Sequence, residues 1–263
     1  MMGLENALTL DRALAERLVE IAEQAGQAIL RIAREGFDVT RKADNSPVTA
    51  ADEAAEAIIL PALEALAAGV PIVAEERVSR EGLPEIVSAA SFWLVDPLDG
   101  TRGFVEGKDD YTVNIALVRG RLPVAGVVHV PPMGKTWAAA GSIALLCESG
   151  KAPRPLAVRR MPAEGATVVA SRHHGDPKRL EQFLAGAKVA GHTNIGSSIK
   201  FCLVAAGEAD IYPRFGRTME WDTAAGHAVL LAAGGEVTTL EGAPLTYAKD
   251  GFENPPFVAR GRS

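Results

Sequence analysis

Three acidic stations lie far apart along the chain: Glu75-Glu76, Asp96-Pro97-Leu98-Asp99 and Asp222. Each ends an apolar, strand-like run or opens a helix-like one. With no histidine or cysteine among them, they form an oxygen-only donor set, which suits a hard cation such as Mg²⁺. Mg²⁺ takes few carboxylates per ion and keeps waters, so this many acids suits two or three ions sharing ligands. Ions of that kind polarise a phosphoryl group, lower the pKa of a bound water and neutralise a leaving oxygen.

Ordinary structural roles compete with that chemistry. Glu75 and Glu76 can be a solvated strand end, and Asp96 and Asp99 can be turn formers. Asp222 can cap the helix-like run TAAGHAVLL. Asp52 sits three residues after Thr49 and completes an acidic variant of a capping box. The stretch WLVDPLDGT is more constrained than a loop needs to be. Trp93, Leu94 and Val95 read as a buried strand, Pro97 biases Asp96 toward extended backbone, and Gly100 permits a conformation that side chains resist. Two carboxylates are thereby fixed at a strand end, an expensive arrangement without a positive charge between them.

The elements that must position these groups can be read from periodicity. Leu10, Leu14, Leu18, Ile21, Ala25 and Ile29 recur at helical spacing and predict a first helix to about Arg34. KADNSPVTAAD reads as a polar loop ending at the Thr49 cap of a second helix, which Pro61 is expected to kink or interrupt. VPIVAEE reads as a strand ending in the paired glutamates. TVNIALV and PVAGVVHV read as a hairpin, with TWAAAG and ALLCES extending its sheet. Further on, ATVVAS and DIYPRF read as strands, and DPKRLEQFLAG, SSIKFCLVAAG and DTAAGHAVLLAAGG as helices. The proline- and arginine-rich KAPRPLAVRRMP is the expected boundary, dividing residues 1–150, which carry the acidic motifs, from residues 151–263. Periodicity alone gives a layered α and β architecture.

The chain has 263 residues, 48% of them hydrophobic and 23% charged, with 33 acidic against 27 basic side chains and a net charge of −6. Such a balance offers no bulk attraction for a nucleic-acid polymer, so an anionic ligand must meet a local positive site. Cys147 and Cys202 are the two cysteines, too few and too far apart for a disulfide framework or zinc ribbon, and they suit a reducing cytoplasm. MMGLENALTL lacks the basic start and long apolar run of a signal peptide, and no apolar run reaches transmembrane length. Gly134-Lys135-Thr136 imitates the end of a P-loop, but the earlier glycine position holds His129 and two prolines intervene, so no ATP site is inferred there. Trp93, Phe104 and Trp221 are read as packing around the motifs.

DPLDGT, preceded by the glutamate pair and followed by WDTAAG, resembles the lithium-sensitive phosphatases of the inositol monophosphatase and fructose-1,6-bisphosphatase superfamily. The resemblance covers nearly the whole chain, SPVTAAD included. It implies an α+β fold, the five-layered αβαβα sandwich, with the site between the two halves acting as one unit. By the same resemblance Glu75, Asp96, Asp99, Asp222 and the Leu98 carbonyl match metal ligands. Gly100 and Thr101 match the phosphate-contacting turn, and Asp52 and Thr101, with Glu75, match the groups that activate water. Phosphate hydrolysis asks mainly for charge stabilisation and in-line placement, which agrees with that set.

SSIKFCLVA, YPRFG and WDTAAGHAV are similar to a bacterial group within the superfamily, the CysQ-type 3′(2′),5′-bisphosphate nucleotidases. That likeness implies a Mg²⁺-dependent phosphatase taking the 3′-phosphate from adenosine 3′,5′-bisphosphate, with the sulfated nucleotide as a second substrate. It implies that Ser197, Lys200 and Arg214 face the nucleotide, that Asp99 and Asp222 reach the substrate as well as metal, and that His174 of ASRHHGD contacts it. On chemistry alone, Ser197 and Ser198 can present hydroxyls and amides to an anion, Lys200 a point charge and Arg214 a bidentate fork. Serine caps, a solvated lysine and a loop histidine are the plain alternatives, while Arg214 in an apolar strand needs a ligand or carboxylate partner. An inositol monophosphatase or broad sugar phosphatase, and a non-catalytic nucleotide and metal sensor, are the competing functions. Family members occur as monomers and homodimers, and attachment to the inner membrane face is compatible with the sequence.

Overall fold

The first helix forms because its apolar residues share a stripe. In α1 (Arg12–Glu35) Leu14, Leu18, Ile21, Ala25 and Ile29 are all buried, and Asp11 caps the start by accepting the Leu14 N–H at 3.0 Å. The computed structural model describes residues 8–41, 47–84, 90–172 and 176–262, so the expectation for His174 falls outside it. The segment read as a polar loop is described only from Pro47, where β2 (Pro47–Thr49) pairs antiparallel with β1 (Val39–Arg41) that precedes the loop. Thr49 then caps α2 (Ala50–Leu66), and Asp52 Oδ2 accepts the Thr49 N–H at 2.8 Å, completing the expected capping box. Pro61 does not interrupt α2. Ala57, whose carbonyl the prolyl nitrogen cannot serve, and Pro61 itself are both exposed, and buried Ile59 and Leu63 hold the helix on either side.

The run VPIVAEE divides differently from its reading as one strand: β3 (Ile72–Ala74) stops before the glutamates, and Glu75 and Glu76 open α3 (Glu75–Glu81). The cap comes from elsewhere. Buried Glu56 of α2 accepts the N–H groups of Glu76 and Arg77, both at 3.1 Å, and pairs with Arg80 at 2.7 Å. A seven-stranded sheet follows, ordered β3, β4 (Ser91–Asp99), β5 (Thr112–Arg119), β6 (Leu122–Val130), β7 (Lys135–Ala140), β8 (Ile143–Glu148) and β9 (Arg154–Pro155), with the short α4 (Thr101–Val105) between β4 and β5. The expected hairpin and its two extending strands are here.

The second sheet is built from β10 (Ala166–Ser171), β11 (Val189–Ile195), β12 (Ile211–Arg214), β14 (Glu236–Thr239) and β16 (Phe257–Arg260), ordered β11-β10-β12-β16-β14. Its helices are α5 (Pro177–Leu184), α6 (Ile199–Ala205) and α7 (Glu220–Ala232), and β13 (Thr218–Met219) pairs with β15 (Glu253–Asn254) beside them.

Strand alternation sets the layers. Trp93, Val95, Ile115 and Val127 face α1 and α2, whereas Phe92, Leu94, Ala116 and Val128 face α6 and α7. The opposite side of that helical pair meets Val169, Tyr212, Phe257 and Ala259 of the second sheet, whose outer residues Val168, Ile211 and Val258 pack on α5. Helices, sheet, helices, sheet and helix give the five-layered αβαβα sandwich. One continuous core joins both sheets through α6 and α7. Among the described residues no helix is long and apolar enough to cross a membrane.

Two buried histidines make stability depend on pH. Burial lowers the pKa of His129 to about 4 and that of His227 to about 3, and each ring Nδ1 has one hydroxyl partner, Thr136 at 2.8 Å and Tyr247 at 3.0 Å. Unfolded histidine binds its proton near pH 6.5, so the stabilising effect of keeping these rings neutral is lost as pH falls from about 6.5 toward 4. Denaturant unfolding should show that loss, on the order of 2 to 3 kcal/mol for each histidine, and His129→Gln should flatten the slope. An unchanged slope in the variant would contradict it.

Candidate active site

A regular strand would turn Asp96 and Asp99, three residues apart, to opposite faces. The end of β4 is not regular. Asp96 pairs with Asn114 and Asp99 with Thr112, so three steps on β4 oppose two on β5. This bulge falls at Pro97-Leu98 and brings both carboxylates to one cavity of about 580 Å³. Asp96 Oδ1 also accepts the Leu98 N–H at 3.0 Å, tightening the turn. Gly100 follows at φ 95°, and a Cβ there would meet the Asp110 carbonyl at 3.4 Å.

One wall of the cavity carries Glu75, Asp96, Leu98, Asp99, Gly100 and Thr101, and the other carries Ser197, Lys200, Arg214 and Asp222. Every expected site residue that the structure describes is therefore on this cavity except Glu76, which is buried away from it, and Asp52, which is buried behind Thr101. The Thr101 hydroxyl lies 3.2 Å from Asp52 Oδ1 and 3.0 Å from the Leu98 carbonyl, while Asp52 Oδ2 accepts from the amide and hydroxyl of Thr49, each at 2.8 Å. The capping role and the site role of Asp52 coexist because they use different oxygens.

Asp222 is not an N-cap. It is the third residue of α7, and its Oδ2 accepts the Met219 N–H at 2.8 Å. Burial, then the negative charges of Asp99 and Glu75, pushes its pKa well above the usual carboxylate value. Asp99 is raised mainly by burial, with Lys200 pulling against it and Glu75 adding to it. Glu75, Asp99 and Asp222 thus feel one another across the cavity. Among the described residues no three His, Cys, Asp or Glu side chains already stand close enough to cage an ion. The donor set nonetheless fits a hard cation: its acids share one cavity, and buried like charges are stabilised by a positive charge placed among them.

The opposite wall is cationic. Lys200, which is 2% exposed and so not on a solvated face, donates to the Ile195 carbonyl at 3.0 Å and to the Ser197 carbonyl, and lies 5.2 Å from the centre of the Tyr212 ring. Burial pulls its pKa down to about 7, with Arg214 contributing and Asp99 opposing. Of the two partners expected for Arg214, a ligand or a carboxylate, no carboxylate bonds it among the described residues: it donates to the carbonyls of Gly216 at 3.2 Å and Arg217 at 2.9 Å, and among those residues three of its five N–H donors are left for an anion. Ser197 has φ 48° and a buried hydroxyl with no hydrogen-bond partner among the described residues. Ser198 also lines the cavity, but its hydroxyl is engaged within the protein, donating to Asn114 Oδ1 at 2.7 Å and lying 3.0 Å from the Thr112 hydroxyl. Sequence reading passed over Asp110 and Arg217, which also line the cavity. The adjacent acids of GKDDYTV were the available signal for Asp110, and nothing local separates it from Asp109.

The chain belongs to the inositol monophosphatase family: the family model of that description matches residues 11–259. It is 43% identical over 247 residues to the 3′(2′),5′-bisphosphate nucleotidase CysQ of Shigella flexneri, covering 93% of this chain and 98% of that one. The crystal structure of CysQ from Bacteroides thetaiotaomicron, a bacterial member of the inositol monophosphatase family, superposes with a TM-score of 0.79 at 35% identity, covering 96% of this chain and 98% of that one. The inositol monophosphatase from Anabaena shares the fold, with a TM-score of 0.73 at 24% identity over 96% of this chain and 92% of that one.

Asp52 and Asp222, each the third residue of its helix and each accepting the N–H of the residue before that helix, should respond differently to substitution in the absence of divalent ions. Asp222→Asn keeps an acceptor for Met219 and removes a repelled charge, so the thermal midpoint in chelator should hold or rise. Asp52→Ala removes half of a capping box and should cost on the order of 1 kcal/mol. A midpoint lowered by several degrees in Asp222→Asn would contradict the electrostatic reading of the cavity.

Proposed function

We propose that the protein is a Mg²⁺-dependent 3′(2′),5′-bisphosphate nucleotidase that hydrolyses the 3′-phosphate of adenosine 3′,5′-bisphosphate to AMP and phosphate, with the sulfated nucleotide as a second substrate. The carrying observation is one cavity lined by Glu75, Asp96, Asp99, Asp222 and Thr101 together with Lys200, Arg214 and Ser197. The 43% identity to a CysQ nucleotidase supports the choice of nucleotide over inositol phosphate.

Glu75, Asp96, Asp99, Asp222 and the Leu98 carbonyl would hold two or three Mg²⁺ ions. Bound there, Mg²⁺ supplies charge neutralisation for the phosphoryl oxygens, a lowered pKa for the attacking water and stabilisation of the leaving oxygen. The protein's own part is placement and proton handling. With Asp52 Oδ2 saturated by Thr49, Oδ1 is directed at Thr101 and takes its hydroxyl proton. Thr101 Oγ1 then accepts a proton from the attacking water as the water oxygen bonds to phosphorus. The P–O3′ bond breaks, and O3′ leaves as a hydroxyl after taking a proton from solvent. The Gly100 turn meets the transferred phosphoryl group, while Arg214, Lys200 and the Ser197 hydroxyl face the rest of the nucleotide and its 5′-phosphate; the resemblance adds His174 as a further nucleotide contact. Both halves of the chain work as one unit, since Thr101 and most of the acids come from the first half and Lys200, Arg214, Ser197 and Asp222 from the second. Two free cysteines fit a cytoplasmic setting.

A phosphate-release panel tests this reading. Turnover with Mg²⁺ should favour adenosine 3′,5′-bisphosphate over inositol 1-phosphate by at least about tenfold in kcat/KM, or about 1.4 kcal/mol of transition-state binding. The reverse preference would make it an inositol or sugar phosphatase, and no turnover of any ester would make it a sensor. Asp99→Asn keeps the size and removes the charge, so turnover should fall roughly a hundredfold or more with the fold intact. Wild-type turnover in that variant would misplace the metal.

A further inference from the structure

Asp110 belongs to none of the motifs, yet it touches both walls of the cavity. Its main-chain carbonyl backs the Gly100 turn, where an added Cβ would lie 3.4 Å away. Its side chain serves the other half of the chain. Oδ2 accepts the Gly196 N–H at 2.6 Å, and Arg172 Nη1 lies 2.9 Å from Oδ1 and 2.7 Å from Oδ2. The fit at Gly196 is tight: a Cβ there would stand 2.7 Å from Asp110 Oδ2 and 2.8 Å from its carbonyl oxygen, inside any real contact distance. Gly196 leads directly into Ser197, and Lys200 closes the same turn from behind through the Ile195 and Ser197 carbonyls. The segment carrying the substrate-side groups is therefore held, through the Asp110 carboxylate, against the residue whose carbonyl backs the Gly100 turn, alongside the Ser198 hydroxyl bonds to Asn114 and Thr112.

Its charge matters as much as its position. Asp110 lines a cavity meant for an anion, and a bare carboxylate there would repel the substrate. Arg172 cancels that charge from the rim, with its side chain 36% exposed against 8% for the aspartate. Arg172 directly follows Ser171, itself a cavity residue, so the pair ties β10 to the same point.

We infer that Asp110, neutralised and oriented by Arg172, is a positioning residue that sets the gap between the Gly100 turn and the Gly196-Ser197 turn and thereby tunes the affinity for the bisphosphate. The inference rests on the nucleotide reading above and adds to it a residue pair with no part in proton transfer or ion binding.

The experiment is steady-state kinetics on adenosine 3′,5′-bisphosphate with saturating Mg²⁺, for the wild type, Arg172→Ala, Arg172→Lys, Asp110→Asn and the double variant Asp110→Asn/Arg172→Ala. Arg172→Ala leaves an unneutralised carboxylate in the cavity, so KM should rise about tenfold while kcat changes less than about threefold. Arg172→Lys keeps the charge and should restore KM to near wild type. Asp110→Asn retains an acceptor for Gly196, so the double variant should bind better than Arg172→Ala alone; that non-additivity marks coupling through the pair. Should Arg172→Ala fail to fold, Arg172→Gln takes its place with the same expected pattern. An unchanged KM, a kcat loss without a KM change, or a double variant worse than Arg172→Ala would overturn the inference. A wild type that does not hydrolyse the nucleotide would instead refute the substrate assignment, and the same five proteins compared on whichever ester it does hydrolyse would still decide whether the pair sets affinity.

Discussion

Carboxylates from distant parts of the chain are held, mostly buried, around one cavity, and their mutual repulsion is the constraint on which the rest depends. Asp99 and Asp222 are both pushed toward the protonated form, and each feels Glu75 as a further negative charge. A fold selected for stability alone would replace such a set with neutral residues. Keeping it makes sense where cations and a phosphate ester complete the charge balance, so the cavity's electrostatics and its chemistry are two descriptions of one arrangement.

The scaffold's task is to hold that strain in place. The bulge at Pro97-Leu98 puts two carboxylates on the same side of β4, and α7 delivers Asp222 from the other half with its Oδ2 tied to Met219. The Thr112, Ser198 and Asn114 side chains bridge β5 to α6 in a buried hydrogen-bonded group, and α6 and α7 fill the layer between the sheets. Because the middle helical layer is shared, neither sheet can shift without disturbing the walls of the cavity. Rigid elements also let a five-residue helix such as α4 present the Gly100 turn with little freedom.

Features determined by nearby residues were legible in the sequence, and those determined at a distance were not. The stripe of α1, the Thr49–Asp52 capping box and the hairpin of β5 and β6 all have causes within a few residues. The helix at Glu75 was hidden because its cap is Glu56, on another helix. Asp222 was assigned the wrong capping position because α7 begins two residues earlier, where Glu220 accepts the amides of Ala248 and Lys249. Strand β11 has no apolar alternation to announce it, since VAGHTNI is mostly exposed at a sheet edge. Site membership was legible for residues inside the acidic and YPRFG motifs. It was silent for Asp110, whose partner Gly196 lies 86 residues away.

The central claim, that these acids gather to hold divalent cations, is tested most directly by titrating the protein with Mn²⁺, a paramagnetic stand-in for Mg²⁺ at oxygen ligands, and following free ion by electron paramagnetic resonance. Saturable binding of at least one ion per chain, competed by Mg²⁺ and weakened at least about tenfold in Asp96→Asn, is the result this account predicts. No saturable binding, or binding untouched by Asp96→Asn, would contradict it.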